Sequence, residues 1–406
     1  QAGEGGDGGA DEPRHQAGVS APDAAVGSTA GAEPYGDGTR VVHAGLPKPE
    51  PGQPFLPGPV LASVFALDPD TGPVAGRDAY GRPDSPTRRL LEAAIGELEG
   101  GECLTFATGM AAISALLFSV LRPGDTVVLP ADGYYLTRAF AQQELVPRGV
   151  TVSLAPTAGP YPSFDGVRLV LLESPSNPGL DVCDIAEVAA AAHAHGALVA
   201  VDNSTATPLG QTPLALGADV VVASGTKALT GHSDLLLGYV ASRDPALIEL
   251  IRSWRTRTGG IPGNVDAWLA HRSLATLDLR LARQSENAAA VAALLAGHAA
   301  VRSVRWPGLP TDPSTVVASR QMRRFPGVVT FELAGRAAVA EFFRASRLVT
   351  AATSFGGLHT TGDRRAQWGD DAAEGLVRLS CGIETTADLV TDIARALDAA
   401  ARVGEP

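Results

Sequence analysis

Four apolar runs in this chain end in residues able to do chemistry. Val220-Val221-Val222-Ala223 leads into Ser224-Gly225-Thr226-Lys227, and Leu198-Val199-Ala200-Val201 into Asp202-Asn203. Residues 169–172 are followed by Glu173-Ser174-Pro175-Ser176-Asn177-Pro178, and residues 104–107 by Thr108-Gly109-Met110. An amine, carboxylates, hydroxyls and a glycine-led helix start therefore all follow candidate strands. Ligands of an open α/β sheet bind beyond the carboxyl ends of its strands, so parallel pairing would gather these residues in one crevice.

That combination suits one cofactor, pyridoxal 5'-phosphate (PLP), which needs an amine, an anion at its ring nitrogen, a phosphate cup and an aromatic face. Lys227 is the expected Schiff-base amine, and Asp202 the anion that keeps the ring nitrogen protonated. Gly109 and Met110 offer backbone N–H groups at a helix N-terminus, a ready anion site. Ser224 and Thr226 add hydroxyl donors, and Tyr134, beyond the run 126–129, is placed to stack on the ring. Alone, a strand-end lysine reads as solvated charge and Asp202 as a turn cap. Their coincidence selects the cofactor reading.

The elements that must position these residues follow from the pattern around them. The runs are continuous rather than alternating, as in a mostly parallel sheet covered on both faces. Leu90, Leu91, Ala94, Ile95 and Leu98 recur on one helical face that closes at Gly100-Gly101. A second helix opens at Thr108-Gly109 and another spans 185–195. From Asp266 the character changes to a helical region reaching residue 299, followed by candidate strands at 301–306, 328–333 and 376–380 and helices around Val339 and Leu389. The expected organisation is a disordered acidic segment (1–38), an extended arm (39–79), a large cofactor-binding α/β domain (80–265) and a smaller α+β domain (266–406).

Bulk properties narrow the function classes. The 406 residues exceed one ordinary core, and the formal net charge of −12 argues against nucleic-acid and anionic-membrane partners. Cys103, Cys183 and Cys381 are far apart, so neither a disulfide framework nor a metal site is expected, and a reducing, cytoplasmic setting fits. No apolar run has the length of a membrane span, and no secretion signal is expected. No GxGxxG follows the first strand, which argues against a nucleotide-binding dehydrogenase.

The chain resembles the Cys/Met-metabolism PLP family, which includes cystathionine γ-synthases, γ-lyases and β-lyases and methionine γ-lyases. The resemblance runs from about Thr39 to the C-terminus. It is carried by Tyr80-Gly81-Arg82, Ser85-Pro86-Thr87, Leu98-Glu99-Gly100, Thr108-Gly109-Met110, Glu173 to Pro178, Asp202-Asn203, Ser224 to Lys227, Gly231-His232-Ser233-Asp234 and Arg378 to Glu384. It implies PLP fold type I, the aspartate aminotransferase-like fold. It also implies that Tyr80 and Arg82 reach the phosphate of a neighbouring subunit, hence a dimer and a homotetramer built from two of them. Asn177 would hold the ring hydroxyl, Arg378 the substrate carboxylate, and Ser354 either Lys227 or that carboxylate. Lys227 would then act as general base, with Tyr134 or Tyr80 as acid or base near the leaving group. A dead relative kept for assembly should have lost Lys227, Asp202 or Arg378, and all three are present.

Departures from the family pattern lie on the substrate side. Methionine γ-lyases carry cysteine where Leu136 stands, γ-synthases and γ-lyases often carry glutamate where Thr353 stands, and β-lyases carry tryptophan where Phe355 stands. Arg364-Arg365-Ala366-Gln367-Trp368-Gly369 replaces a familiar Pro and Thr-His segment and resembles a branch labelled γ-lyase. The expected reaction is γ-elimination on L-cystathionine, giving cysteine, 2-oxobutyrate and ammonia. The alternatives are γ-replacement on an activated homoserine ester and a specialised-pathway reaction. Arg88-Arg89 and Arg364-Arg365 read as solvated charge, although the second pair could border the pocket. Cys381 reads as a buried, inert thiol.

Overall fold

The computed structural model describes residues 35–368 and 371–404. The acidic segment expected to be disordered lies outside these residues as far as position 34. A short helix, Asp37–His43, spans the boundary expected between that segment and the extended arm.

Seven strands make one sheet: β1 (Glu102–Phe106), β2 (Thr126–Pro130), β3 (Thr151–Ala155), β4 (Val167–Glu173), β5 (Leu198–Asp202), β6 (Val220–Ser224) and β7 (Gly238–Ser242), in the order β1-β7-β6-β5-β4-β2-β3. β7 runs antiparallel to β1 and β6, and the remaining pairs are parallel. The carboxyl ends of six strands therefore share one edge. Successive side chains point to opposite faces of a strand. Val220 and Val222 join the core around Leu104, Leu116 and Leu169, whereas Val221 and Ala223 join that around Leu91, Ile95 and Tyr239. Both faces are covered, which is why the runs are continuous.

The sequence pattern had given no sign of β3 or β7. β3 is an edge strand, half-buried and rich in polar residues, and β7 has just three apolar residues between Gly238 and Ser242.

Two helices frame the crevice. Pro86–Glu99 starts at Ser85, whose hydroxyl accepts from Arg88 N, carries Pro86 in its first turn and stops at Gly100 with φ 78°. Gly109–Val120 is capped by Thr108, whose hydroxyl accepts from Ala111 N.

The second sheet holds β8 (Ser303–Arg305), β9 (Val328–Glu332), β10 (Thr350–Ala351), β11 (Thr361–Arg364) and β12 (Leu376–Ser380), in the order β10-β11-β12-β9-β8. Helices Arg336–Ala345 and Thr386–Gly404 pack on it through Phe331, Phe342, Leu379, Leu389 and Ile393.

The helical region expected from Asp266 to residue 299 is made of two helices, Asn264–Leu274 and Leu277–Gly297. At the break the hydroxyls of Ser273 and Thr276 donate to backbone carbonyls, of Leu269 and Ser273 respectively, and Arg280 also donates to Ser273 O. Ala267, Ala270 and Leu274 of the first helix belong to the large-sheet core. Three buried polar residues on one face of the second helix, at i, i+4 and i+7, each hold a separate loop. Arg280 donates to Ala228 O (2.7 Å) and Leu229 O (3.0 Å), just past Lys227. Gln284 donates to Gly357 O (2.8 Å), and Asn287 to Gly382 O (3.0 Å) and Glu384 O (2.9 Å).

Candidate active site

A cavity of about 280 Å³ opens at the carboxyl edge of the large sheet, where the second sheet closes over it. Gly109, Met110, Tyr134, Asn177, Asp202, Ser224, Thr226, Lys227, Ser354 and Arg378 all line it. Ten of the twelve candidate residues are thus gathered in one place.

Lys227 follows β6 on a tight turn, and its Nζ donates to Ser354 Oγ at 2.8 Å and lies 5.3 Å from the Phe355 ring centroid. Burial, and then the positive charge of Arg378, push its pKa down to about 8. Ser354 holds it from a left-handed backbone (φ 74°), a conformation costly for a residue with a side chain and common where a functional site fixes it.

Asp202 ends β5 and accepts from Ser204 N at 2.9 Å. Burial raises its pKa, opposed by the bonds from Ser204 and by Lys227. A cationic ring nitrogen beside it would favour its ionised form. Next to it in the strand register, at the end of β4, stands Glu173, also raised by burial and then by the charge of Asp202. Glu173 accepts from Tyr134 N (2.7 Å) and Asn177 N (2.8 Å).

Gly109 opens its helix against β6. A Cβ there would lie 2.8 Å from Ser224 Cβ, so this anion cradle admits no side chain. The first-turn N–H groups of Gly109 and Met110, with Ser224 alongside, form a donor set suited to a phosphate. The Thr226 hydroxyl donates to Leu237 O (3.2 Å) and accepts from Leu237 N (2.9 Å). Tyr134 meets Tyr135 edge-on, with ring centroids 5.3 Å apart. Burial, followed by the neighbouring Tyr135, raises the Tyr134 pKa, so at neutral pH it is a phenol that can give a proton. An amine, a buried carboxylate, a side-chain-free anion cradle and an aromatic ring fit PLP.

At the other end, Arg378 projects from β12. Its Nη1 donates to Asn177 Oδ1 (2.6 Å) and its Nη2 to Ser354 O (3.1 Å), and the guanidinium lies 5.1 Å from the Phe355 ring centroid. Asp363 Oδ1 lies 3.3 Å from Arg378 Nη2, and Asp363 Oδ2 accepts from Arg365 Nη1 at 2.9 Å.

Tyr80 and Arg82 stand apart. Neither lines the cavity; Tyr80 is 49% exposed, and Arg82 donates to Thr256 O and lies over the Tyr80 ring.

Two readings of charge need correcting. Arg365, read as solvated charge that could border the pocket, is 3% exposed and does line the cavity. Arg88, also read as solvated, is 1% exposed and donates to Gly81 O (2.8 Å) and Arg82 O (3.2 Å), holding the backbone from which Tyr80 and Arg82 project. Arg89 is half-exposed and pairs with Asp78 and Asp84, as a solvated charge should. Cys381 is fully buried with its thiol pKa pushed up by burial, matching an inert role.

Glu173 and Trp368, which sequence reasoning quoted without giving them a role, and Ser204 and Leu236, which it did not single out, also line the cavity. Glu173 carried a usable signal, since it follows an apolar run just as Asp202 does. Arg365 and Trp368 were marked only by the departure from the family pattern there, because neither stands at the end of a strand that periodicity reveals.

Known proteins match both the sequence of this chain and its fold. The family model for the Cys/Met metabolism PLP-dependent enzymes matches residues 39–398. A Streptomyces coelicolor protein, provisionally named a cystathionine gamma-lyase, is 54% identical over 92% of this chain and 97% of its own length. The cystathionine gamma-synthase of Mycobacterium bovis is 38% identical over 89% of this chain and 97% of its own. Among solved structures, cystathionine gamma synthase from Xanthomonas oryzae in complex with aminoacrylate and cysteine superposes with a TM-score of 0.85 at 37% identity, covering 91% of this chain and 100% of that one. With the fold, the cavity and these matches in agreement, the chain belongs to the Cys/Met metabolism family of PLP-dependent enzymes, which act on sulfur amino acids.

Proposed function

We propose that this enzyme catalyses γ-elimination on L-cystathionine, consuming water and giving L-cysteine, 2-oxobutyrate and ammonia. The observation that carries the reading is the Lys227 amine. It sits on a four-carbon stem, held by Ser354 Oγ at 2.8 Å, with a pKa pushed down to about 8 by burial and Arg378. Near neutral pH a usable fraction is uncharged and can take a proton. γ-Elimination needs protons moved at both the α- and β-carbons, and one base on a long stem can serve both.

PLP, when bound, supplies the electron sink for negative charge at the substrate α-carbon. The chain's residues do the rest. Asp202 would hold the ring nitrogen, and the N–H groups of Gly109 and Met110 with the Ser224 hydroxyl would take the phosphate, beside Thr226, whose own hydroxyl is hydrogen-bonded to Leu237. Tyr134 covers the ring and, as a phenol, gives a proton near the departing sulfur. Asn177 takes the ring hydroxyl. Arg378 grips the substrate carboxylate with a planar two-pronged donor, aimed by Asn177 and the Ser354 carbonyl. The 54% identity to the Streptomyces relative supports the lyase reading, and Leu136 speaks against methionine γ-lyase.

γ-Replacement on an activated homoserine ester is the second reading, supported by the similarity to the Mycobacterium and Xanthomonas synthases. One experiment separates the two. The PLP-loaded protein is incubated with L-cystathionine, and separately with O-succinyl-L-homoserine plus L-cysteine, and products are identified by mass spectrometry. Cysteine with 2-oxobutyrate from the first mixture supports elimination. Homocysteine with pyruvate would replace that reading with β-elimination, and cystathionine formed from the second mixture alone would replace it with γ-replacement.

The proposed assembly is a homotetramer made of two dimers, in a cytoplasmic setting. The exposed Tyr80 and the distance of Arg82 from its own chain's cavity support the exchange of these residues between subunits. Among the described residues no helix is long and apolar enough to cross a membrane. Mixed oligomers of Lys227→Ala and Arg82→Ala chains should recover activity that neither variant shows alone, because one of the two sites is then built from unaltered residues. No recovery would sink the exchange.

A further inference from the structure

We infer that Glu173 is a positioning residue that sets the ring-covering Tyr134 and the carboxylate-gripping Arg378 in register with each other. The side chain sits at the end of β4, level with Asp202, and lines the same cavity. One oxygen accepts from Tyr134 N at 2.7 Å and the other from Asn177 N at 2.8 Å. Asn177 in turn accepts from Arg378 Nη1 at 2.6 Å through its side-chain oxygen. A single carboxylate is thus bonded to the backbone of the ring-covering residue and to that of the residue that aims the arginine.

The choice of residue type supports this role. Glutamine has one acceptor and one donor group, so it can serve one of the two N–H groups and turns an NH₂ toward the other. Aspartate is a methylene shorter and does not reach both. The chain also clears space for this side chain, because a Cβ on Gly133 would lie 2.6 Å from Glu173 Oε2. Placing two buried carboxyl groups side by side is unfavourable: burial raises the pKa of both, and the charge of Asp202 adds to the rise at Glu173. A carboxylate is required to bond both backbones at once.

The test is Glu173→Gln in the full-length, PLP-loaded enzyme, read two ways. First, visible circular dichroism of the bound cofactor should change in shape, because the Tyr134 face shifts; this readout depends on the cofactor alone. Second, the KM for L-cystathionine should rise about tenfold in the Arg378 background and by less than about twofold in an Arg378→Lys background, since the effect passes through that arginine. This second readout rests on the proposed role of Arg378. A wild type that turns over no sulfur amino acid would sink that proposal and leave the dichroism to decide the role of Glu173. If Glu173→Gln does not fold, Gly133→Ala displaces the same oxygen from the Tyr134 side and should alter the dichroism more than KM. Unchanged dichroism in the folded variant, or KM effects of Glu173→Gln and Arg378→Lys that simply multiply, overturns the inference.

Discussion

The two ends of the cavity are built on different principles. At the cofactor end, Lys227, Asp202, Glu173 and Gly109 follow or terminate strands and a helix start, so the ladder of main-chain hydrogen bonds fixes their positions. At the substrate end, Ser354, Asp363, Arg365 and Arg378 come from the second sheet and its loops, and side-chain bonds aim them: Arg378 to Asn177, Arg365 to Asp363, and Lys227 to Ser354 across the divide. A main-chain scaffold tolerates few residue types at its ends, whereas a side-chain network can be rewired by a few substitutions. Most of the departures from the family pattern accordingly fall at the second end, at Thr353, Phe355 and residues 364–368, with Leu136 beside Tyr134 the exception.

This contrast can be broken by experiment. The largest effect is expected from Lys227→Ala, which should lower turnover on the order of 10⁴-fold and remove the visible absorbance of the lysine-linked cofactor. Surviving turnover would remove the basis of the cofactor end altogether. Next comes Arg378→Lys, which loses a two-pronged charge-assisted contact and should raise KM roughly 30- to 100-fold while leaving the cofactor's absorbance intact. Loss of absorbance in that variant would mean that the two ends are not separable.

Gly109→Ala should act in the opposite sense. A Cβ 2.8 Å from Ser224 Cβ crowds the phosphate cradle, so cofactor release on dialysis should quicken about tenfold with KM little changed. A rise in KM with the cofactor fully retained would count against that cradle. The smallest effect concerns pH. Burial lowers the Lys227 pKa to about 8, so the uncharged amine accumulates as pH rises through that value. Cofactor uptake by protein stripped of PLP should therefore speed up about fivefold between pH 7 and 8 and level off above, whereas an ordinary lysine would keep gaining until about pH 10.4. Continued acceleration past pH 9 would show that burial does not tune this amine.

Legibility in the sequence follows the same division. The parallel strands and the residues after them could be read because strands buried on both faces are continuous apolar runs. β7 could not, since it has three apolar residues between Gly238 and Ser242, and its reversed direction carries no local signature. Gly100 marked the end of a helix correctly because capping chemistry is local. Arg88 was misread because an arginine's burial depends on which carbonyls the fold turns toward it, here Gly81 O and Arg82 O. Arg365 could be read only as a residue that could border the pocket, because the second sheet, not the local pattern, buries it beside Asp363. Tyr80 and Arg82 were recognised from the family resemblance, and the fold of one chain does not bring them to its own cavity.

The helix Leu277–Gly297 carries a consequence for how genes of this kind can change length. Its Arg280, Gln284 and Asn287 hold the loop after Lys227, the Gly356-Gly357 bend and the turn at Gly382 from a single face. Each residue of an α-helix turns the chain by about 100°, so a one-codon insertion or deletion before Arg280 would swing all three anchors off their loops together. Point substitutions there can be compensated one at a time, but a frame-preserving indel cannot. Length variation among relatives should therefore be absent from the first half of this helix and collect where it ends, around His298.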